Sequence, residues 1–220
     1  MSVASQTRPQ TKMYTPEDLL DHPDGDHYEL VDGQFVEKTM SMLTGGIESL
    51  LIFLLVHFCR EHDLGSVLTA SCGFQCFPRD PNRVRRPDVS FIRKARITAD
   101  VSPDGFAKIP PDLAVEVVSP RDLASDLDEK LDDYRSASIP LIWVIYPVTR
   151  KGWIYRADGS VSLIREDGEL SGEDVLPGFR CPLRSILPAV SERKLPVEPE
   201  SDNGAGKPGG SRSRSKRRKP

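Results

Sequence analysis

The chain is poor in the residues that usually announce catalysis. Its four cysteines, Cys59, Cys72, Cys76 and Cys181, form no paired CxxC sets. Cys72 and Cys76 could share a strand face, but one pair does not make a zinc site. All four therefore read as reduced residues packed like small hydrophobes. The four histidines, His22, His27, His57 and His62, show neither metal spacing nor a triad context and receive no role. Glycine-rich loops of the P-loop or dinucleotide type are absent, which argues against nucleotide-driven chemistry. The longest uninterrupted apolar run, Leu50 to Val56, falls well short of the roughly 18 residues of a membrane span. The first residues, MSVASQTRPQTK, contain no apolar signal core. These absences lead to the expectation of a cytoplasmic protein with no membrane partner.

What is present fits one packed domain. The 220 residues are 38% hydrophobic and 29% charged, an ordinary balance for a globular chain. The net charge of −3 conceals a split. Asn203 to Pro220 holds seven basic residues and no acid, leaving 23 basic and 33 acidic residues on the other 202, a net of −10. The basic end, SRSRSKRRKP after NGAGKPGG, is too poor in apolar residues to fold. It reads either as a solubilising end or as a sequence-independent tether for nucleic-acid phosphates. The expected organisation is a disordered 1–12, a domain over 13–190 and a disordered tail over 191–220.

Local signals order the domain. Thr15-Pro16-Glu17-Asp18 starts a short helix that ends near His22-Pro23. The Asp32-Gly33 pair, between YELV and QFVE, predicts a hairpin. Ile47 to Glu61 reads as a long helix so apolar that it is buried on most sides or meets a partner chain. Strands are expected near Ser66–Ala70 and Gly73–Phe77, then a polar loop from Arg79 to Arg86. The runs beginning at Asp88 and Leu113 are strands, followed by a helix from about Asp122 or Ser125 to Ala137. Leu141 to Tyr146 is apolar throughout, as in a central strand covered on both faces. A hairpin over Lys151–Arg156 and Ser160–Arg165 closes the set. This order predicts an α/β (α+β) fold, a mixed central sheet flanked by helices.

Two acids interrupt these apolar strands. Asp88 opens DVSFI, and Glu116 lies inside LAVEVV. A buried carboxylate is costly unless it is paired or holds a metal. On the following helix, at about 100° per residue, Leu127, Leu131 and Tyr134 form the apolar stripe and Lys130 lies about 60° from its centre. Asp128, Glu129, Asp132 and Asp133 fall on the opposite, solvated side. Alone, Lys130 fits a lysine snorkelling from the stripe's edge better than a site residue, and a structural salt bridge is the alternative for Glu116. Asp88 can be a simple strand-start acid and Glu29 an exposed hairpin residue. Together they suggest metal-dependent phosphodiester cleavage. Hard carboxylate oxygens suit magnesium or manganese, and a lysine can orient water or offset charge. Arg83, Arg85 and Arg86 read either as phosphate contacts or as a solvated basic loop.

The ordered segments YELVDGQ, RPDVSFI, LAVEVVSP, DLDEKLDDY, IPLIWVIYP and LPGF, from about Tyr14 to Phe179, resemble the Uma-type family, described as putative restriction endonucleases, within the PD-(D/E)XK nuclease superfamily. The resemblance implies a restriction-endonuclease-like fold with a divalent metal, Mg²⁺ or Mn²⁺, at one end of the sheet. It implies that Asp88 and Glu116 are the motif acids and that Glu29 is the acid of the YEL-DG segment. These three would be metal ligands. Val118 stands where the superfamily lysine would complete the motif, and Lys130 matches the family's lysine on the next helix. The segment Leu43-Thr44-Gly45-Gly46-Ile47-Glu48 departs from relatives that carry a polar or histidine-containing stretch there, and Glu48 is given no role. The implied activity is hydrolysis of DNA by a Mg-dependent endonuclease, as a homodimer if both strands are cut. A DNA-binding or regulatory module of the same fold with weak or lost catalysis is the alternative. A third reading is an interaction protein that associates through its long helix.

Overall fold

The Asp32-Gly33 turn shows how local chemistry sets this fold. In the computed structural model, which describes residues 12–39, 41–98 and 104–189, both residues have positive φ, 49° and 69°. That conformation suits a two-residue hairpin and favours glycine. It joins β1 (Tyr28–Val31) to β2 (Gln34–Glu37). The turn fixes the register, with Glu29 opposite Val36. Before it, α1 (Pro16–Leu20) starts with a capping box between Thr15 and Asp18. The expected disordered end over 1–12, apart from Lys12, and the basic tail over 191–220 lie outside the described residues.

Helix α2 (Met42–Glu61) begins earlier than the apolar period suggests, because Ser41 and Thr44 cap each other's backbone amides. Two glycines, Gly45 and Gly46, then lie inside the helix rather than before it. By length and composition α2 could cross a membrane. Here its Ile47, Leu51, Leu55 and Cys59 are buried in the core. Its other side leaves Leu50 and Phe53 exposed.

Six strands follow: β3 (Gly65–Thr69), β4 (Val89–Arg93), β5 (Leu113–Val117), β6 (Leu141–Tyr146), β7 (Lys151–Arg156) and β8 (Val161–Arg165). They form one sheet in sequence order. Only β5 and β6 run parallel. A parallel pair needs a crossover, and α3 (Ala124–Ser136) supplies it. Alternation along the strands sorts the two faces. Val115, Val117, Trp143 and Ile145 pack with α2, while Ala114, Ile142 and Val144 pack with Leu131 and Tyr134 of α3. Two short strands, β9 (Glu169–Ser171) and β10 (Arg180–Pro182), pair beyond the sheet and lead into α4 (Leu183–Ile186). The architecture is therefore the expected mixed sheet flanked by helices.

Two expectations do not hold. Gly73–Phe77 is not a strand, since among these residues only Phe74 bridges Arg85 and Ala107. The Arg79–Arg86 stretch is a solvent-facing loop only as far as Asn82. Val84 exchanges both backbone hydrogen bonds with Leu30 of β1, which draws Arg83, Arg85 and Arg86 into the interior.

Leu51 is fully buried under the sheet. Leu51→Ala should destabilise the protein by about 2–5 kcal/mol, measured as a shift in the urea unfolding midpoint with an unchanged slope.

Candidate active site

The antiparallel β4–β5 register pairs Val89 with Val115. One step further along, Asp88 comes opposite Glu116. Val89 and Val115 point into the α2 side of the core, so by alternation the two acids share the α3 face, at the C-terminal end of β5. Both are buried, at 9% and 6% exposure. Adjacent carboxylates repel, so each requires counter-charge or hydrogen bonds.

Helix α3 serves Glu116. Tyr134 donates its hydroxyl to Glu116 Oε1 at 2.5 Å, and the Lys130 ammonium lies 3.3 Å from Oε2. Lys130 is thus turned toward the sheet, as its place beside the apolar stripe predicts. Its Nζ also lies 3.2 Å from Glu29 Oε1. Burial alone would lower the lysine's pKa, but Glu116, Glu29 and Asp88 outweigh it and raise it above the ordinary range. Lys130 is therefore a fixed positive charge and not a base. Burial also raises the Glu116 carboxyl. The nearby charge of Asp88 adds to this, and Lys130 only partly offsets it.

Asp88 Oδ2 accepts from the Val117 amide at 2.7 Å. Its Oδ1 accepts from Lys38 Nζ at 2.8 Å. Lys38, which also donates to the Arg86 carbonyl, has no counterpart in the sequence reading. A signal was nevertheless available. A two-residue turn places residues 29, 36 and 38 on one face of the hairpin, so Lys38 shares the Glu29 side.

Glu29 is 1% exposed and lies deepest of the acids. Its Oε2 accepts from Arg85 Nη1 at 3.0 Å, and its Oε1 from the Arg86 amide at 2.8 Å. Burial would raise this carboxyl, but Lys130, Arg85 and Lys38 outweigh it and hold it at about 2. Both of its oxygens are thus engaged by protein donors.

The arginines are committed to structure, which corrects both of their sequence readings. Arg85 Nε donates to Asp133 Oδ2 at 2.7 Å. Arg83 Nη1 reaches the same carboxylate at 2.8 Å and Glu129 at 2.6 Å, and its Nη2 holds Asp32 at the hairpin turn. Arg86 donates to the carbonyls of Tyr28 at 2.9 Å and Gly25 at 3.1 Å. Asp133 is accordingly buried rather than solvated. It lies about 60° from Lys130 around the helix, where the arginine segment covers α3.

The structure also draws Glu48 into the cluster. Burial, then the charge of Asp88, raises its carboxyl to about 7. The pocket beside these acids is lined by Asp88, Glu116, Glu29, Lys38, Lys130 and Arg121, among others. Among the described residues no three Asp, Glu, His or Cys side chains stand at metal-ligand spacing. The donor chemistry still fits a hard divalent cation, since Asp88 and Glu116 supply carboxylate oxygens that already hold the ammonium cations Lys38 and Lys130.

Comparison with known proteins adds family and fold. The family model Uma2, described as "Putative restriction endonuclease", matches residues 16–184. No curated protein matches the chain. Among solved structures, a "putative nuclease belonging to DUF820" from Anabaena variabilis superposes with a TM-score of 0.65 at 16% identity, covering 78% of this chain and 96% of that one. At that identity the likeness is one of fold.

Two predictions follow from the charges. Arg85→Met leaves Glu29 and Asp133 short of a buried partner and should cost about 3–5 kcal/mol in urea unfolding. The raised Glu48 carboxyl binds its proton more tightly in the folded state. Stability should therefore decline as pH rises from 4.5 to about 7 and level off above. Melting temperatures of metal-free Glu48→Gln should lack that part of the slope.

Proposed function

The chain belongs to the Uma2 family, and we propose that it is a metal-dependent endonuclease that hydrolyses phosphodiester bonds in DNA. The observation that carries this reading is the pairing of Asp88 with Glu116 on one face of the sheet end, with Lys130 held against Glu116. Asp88 and Glu116 would hold Mg²⁺ or Mn²⁺, with Glu29 supporting the shell from behind through Lys130. Such an ion supplies Lewis acidity toward a phosphoryl oxygen and lowers the pKa of bound water.

The chain's own residues account for the rest. Lys130 keeps its proton, so it can donate hydrogen bonds to the attacking water or to a phosphoryl oxygen and offset the charge that develops there. Glu29 is a positioning residue in this reading. It holds the ammonium from one side, and Arg85 and the Arg86 amide hold Glu29. Tyr134 fixes the rotamer of Glu116. The arginines are spent on structure, so sequence-independent affinity for phosphates falls to the basic tail. Cutting both strands of a duplex calls for two such sites, hence a homodimer.

The test is plasmid cleavage with Mg²⁺ or Mn²⁺ and a chelator control. Asp88→Asn and Glu116→Gln should abolish nicking, and Lys130→Met should slow it by about 100-fold or more. A chain ending at Val190 should still cut but should be retained less on DNA at low salt. No cleavage by folded protein, with tail-dependent DNA retention intact, would instead favour a DNA-binding module.

A further inference from the structure

The two oxygens of Asp88 are engaged differently. The backbone amide of Val117 holds Oδ2 at 2.7 Å and is fixed by the β5 backbone. The partner of Oδ1 is the Lys38 ammonium, at 2.8 Å. This lysine is 10% exposed and lines the pocket. Its backbone is anchored where its amide donates to the His27 carbonyl at 2.9 Å. Its side chain, by contrast, is a flexible four-carbon stem. Lys130 lies against two carboxylates, whereas Lys38 holds one carboxylate and one carbonyl. Lys38 is thus the more readily exchanged cation of the pair. It also occupies the oxygen that Asp88 must release to bind a metal.

Resting on the metal-dependent reading above, we propose that Lys38 is a tethered counter-cation that competes with the divalent ion for Asp88 and sets the metal affinity of the site. Without metal, its ammonium offsets the mutual repulsion of Asp88, Glu116 and Glu48, which lets the acids stay gathered. With metal, the same charge is redundant and must leave Oδ1. The lysine therefore weakens metal binding while stabilising the metal-free fold.

The test is Mn²⁺ binding without DNA, read by electron paramagnetic resonance of the free ion and by the metal-induced shift in melting temperature. It compares the intact chain with Lys38→Met, Lys38→Arg and Asp88→Asn. Removing a unit charge this close should tighten Mn²⁺ binding by about tenfold or more in Lys38→Met. That variant should melt lower than wild type without metal and gain more on adding it. Lys38→Arg keeps the charge and should bind like wild type, and Asp88→Asn should lose binding. Lys38→Gln keeps a donor for the Arg86 carbonyl without the charge, and carries the same comparison if Lys38→Met folds poorly. Wild-type binding that depends on Asp88, with equal or weaker binding in the uncharged Lys38 variants, overturns the proposal and leaves the metal reading standing. Failure of every form to bind Mn²⁺ overturns the metal reading and the proposal with it.

Discussion

Two carboxylates side by side on a covered sheet face are unstable unless something answers their charge. Here the answer comes from separate parts of the chain. Lys130 and Tyr134 reach Glu116 from α3. Lys38 reaches Asp88 from the end of the hairpin, and the β5 backbone contributes an amide. Behind them Glu29 and Asp133 are tied together by Arg85. The acidic pair therefore exists only when hairpin, arginine segment, helix and sheet are all docked. Its electrostatics also explain why Lys130 keeps its proton while Glu116 is shifted toward holding one.

The backbone plan was legible because its signals are local. Alternation and turn chemistry gave the Asp32-Gly33 hairpin, the apolar β6 strand and the β7–β8 hairpin. Helical period placed Lys130 at the edge of the buried stripe of α3. The same period misplaced Asp133, because a helical wheel counts a charged residue as solvated unless its partner is known. That partner, Arg83, is 50 residues away, and no local pattern records such a pair. For the same reason the arginine segment resembled a basic loop. Its burial follows from the pairing of Val84 with Leu30, a single bridge with no periodicity to reveal it.

The site was legible in part. Acids inside apolar strands pointed to Asp88 and Glu116, and family resemblance added Glu29. Lys38 was missed because it lies just past a strand, where neither helical nor strand period is usually applied. Glu48 lay just inside the expected helix start at Ile47 and was set aside because no local pattern ties it to the acids on the strands. The Ser41 cap moves that start back to Met42, so Glu48 sits in the second turn of the helix rather than the first.

The long sequence separations within the charge network also bear on how the chain reaches its native state. Arg85 meets Glu29 across 56 residues, and Arg83 meets Asp133 across 50. Contacts of that span close large loops and belong to the slow part of folding. The helices and hairpins can form from neighbouring residues, but the acidic cluster cannot be neutralised until three distant stretches converge. A nascent or partly unfolded chain thus lacks the assembled acidic cluster, which forms only once hairpin, arginine segment and helix have docked.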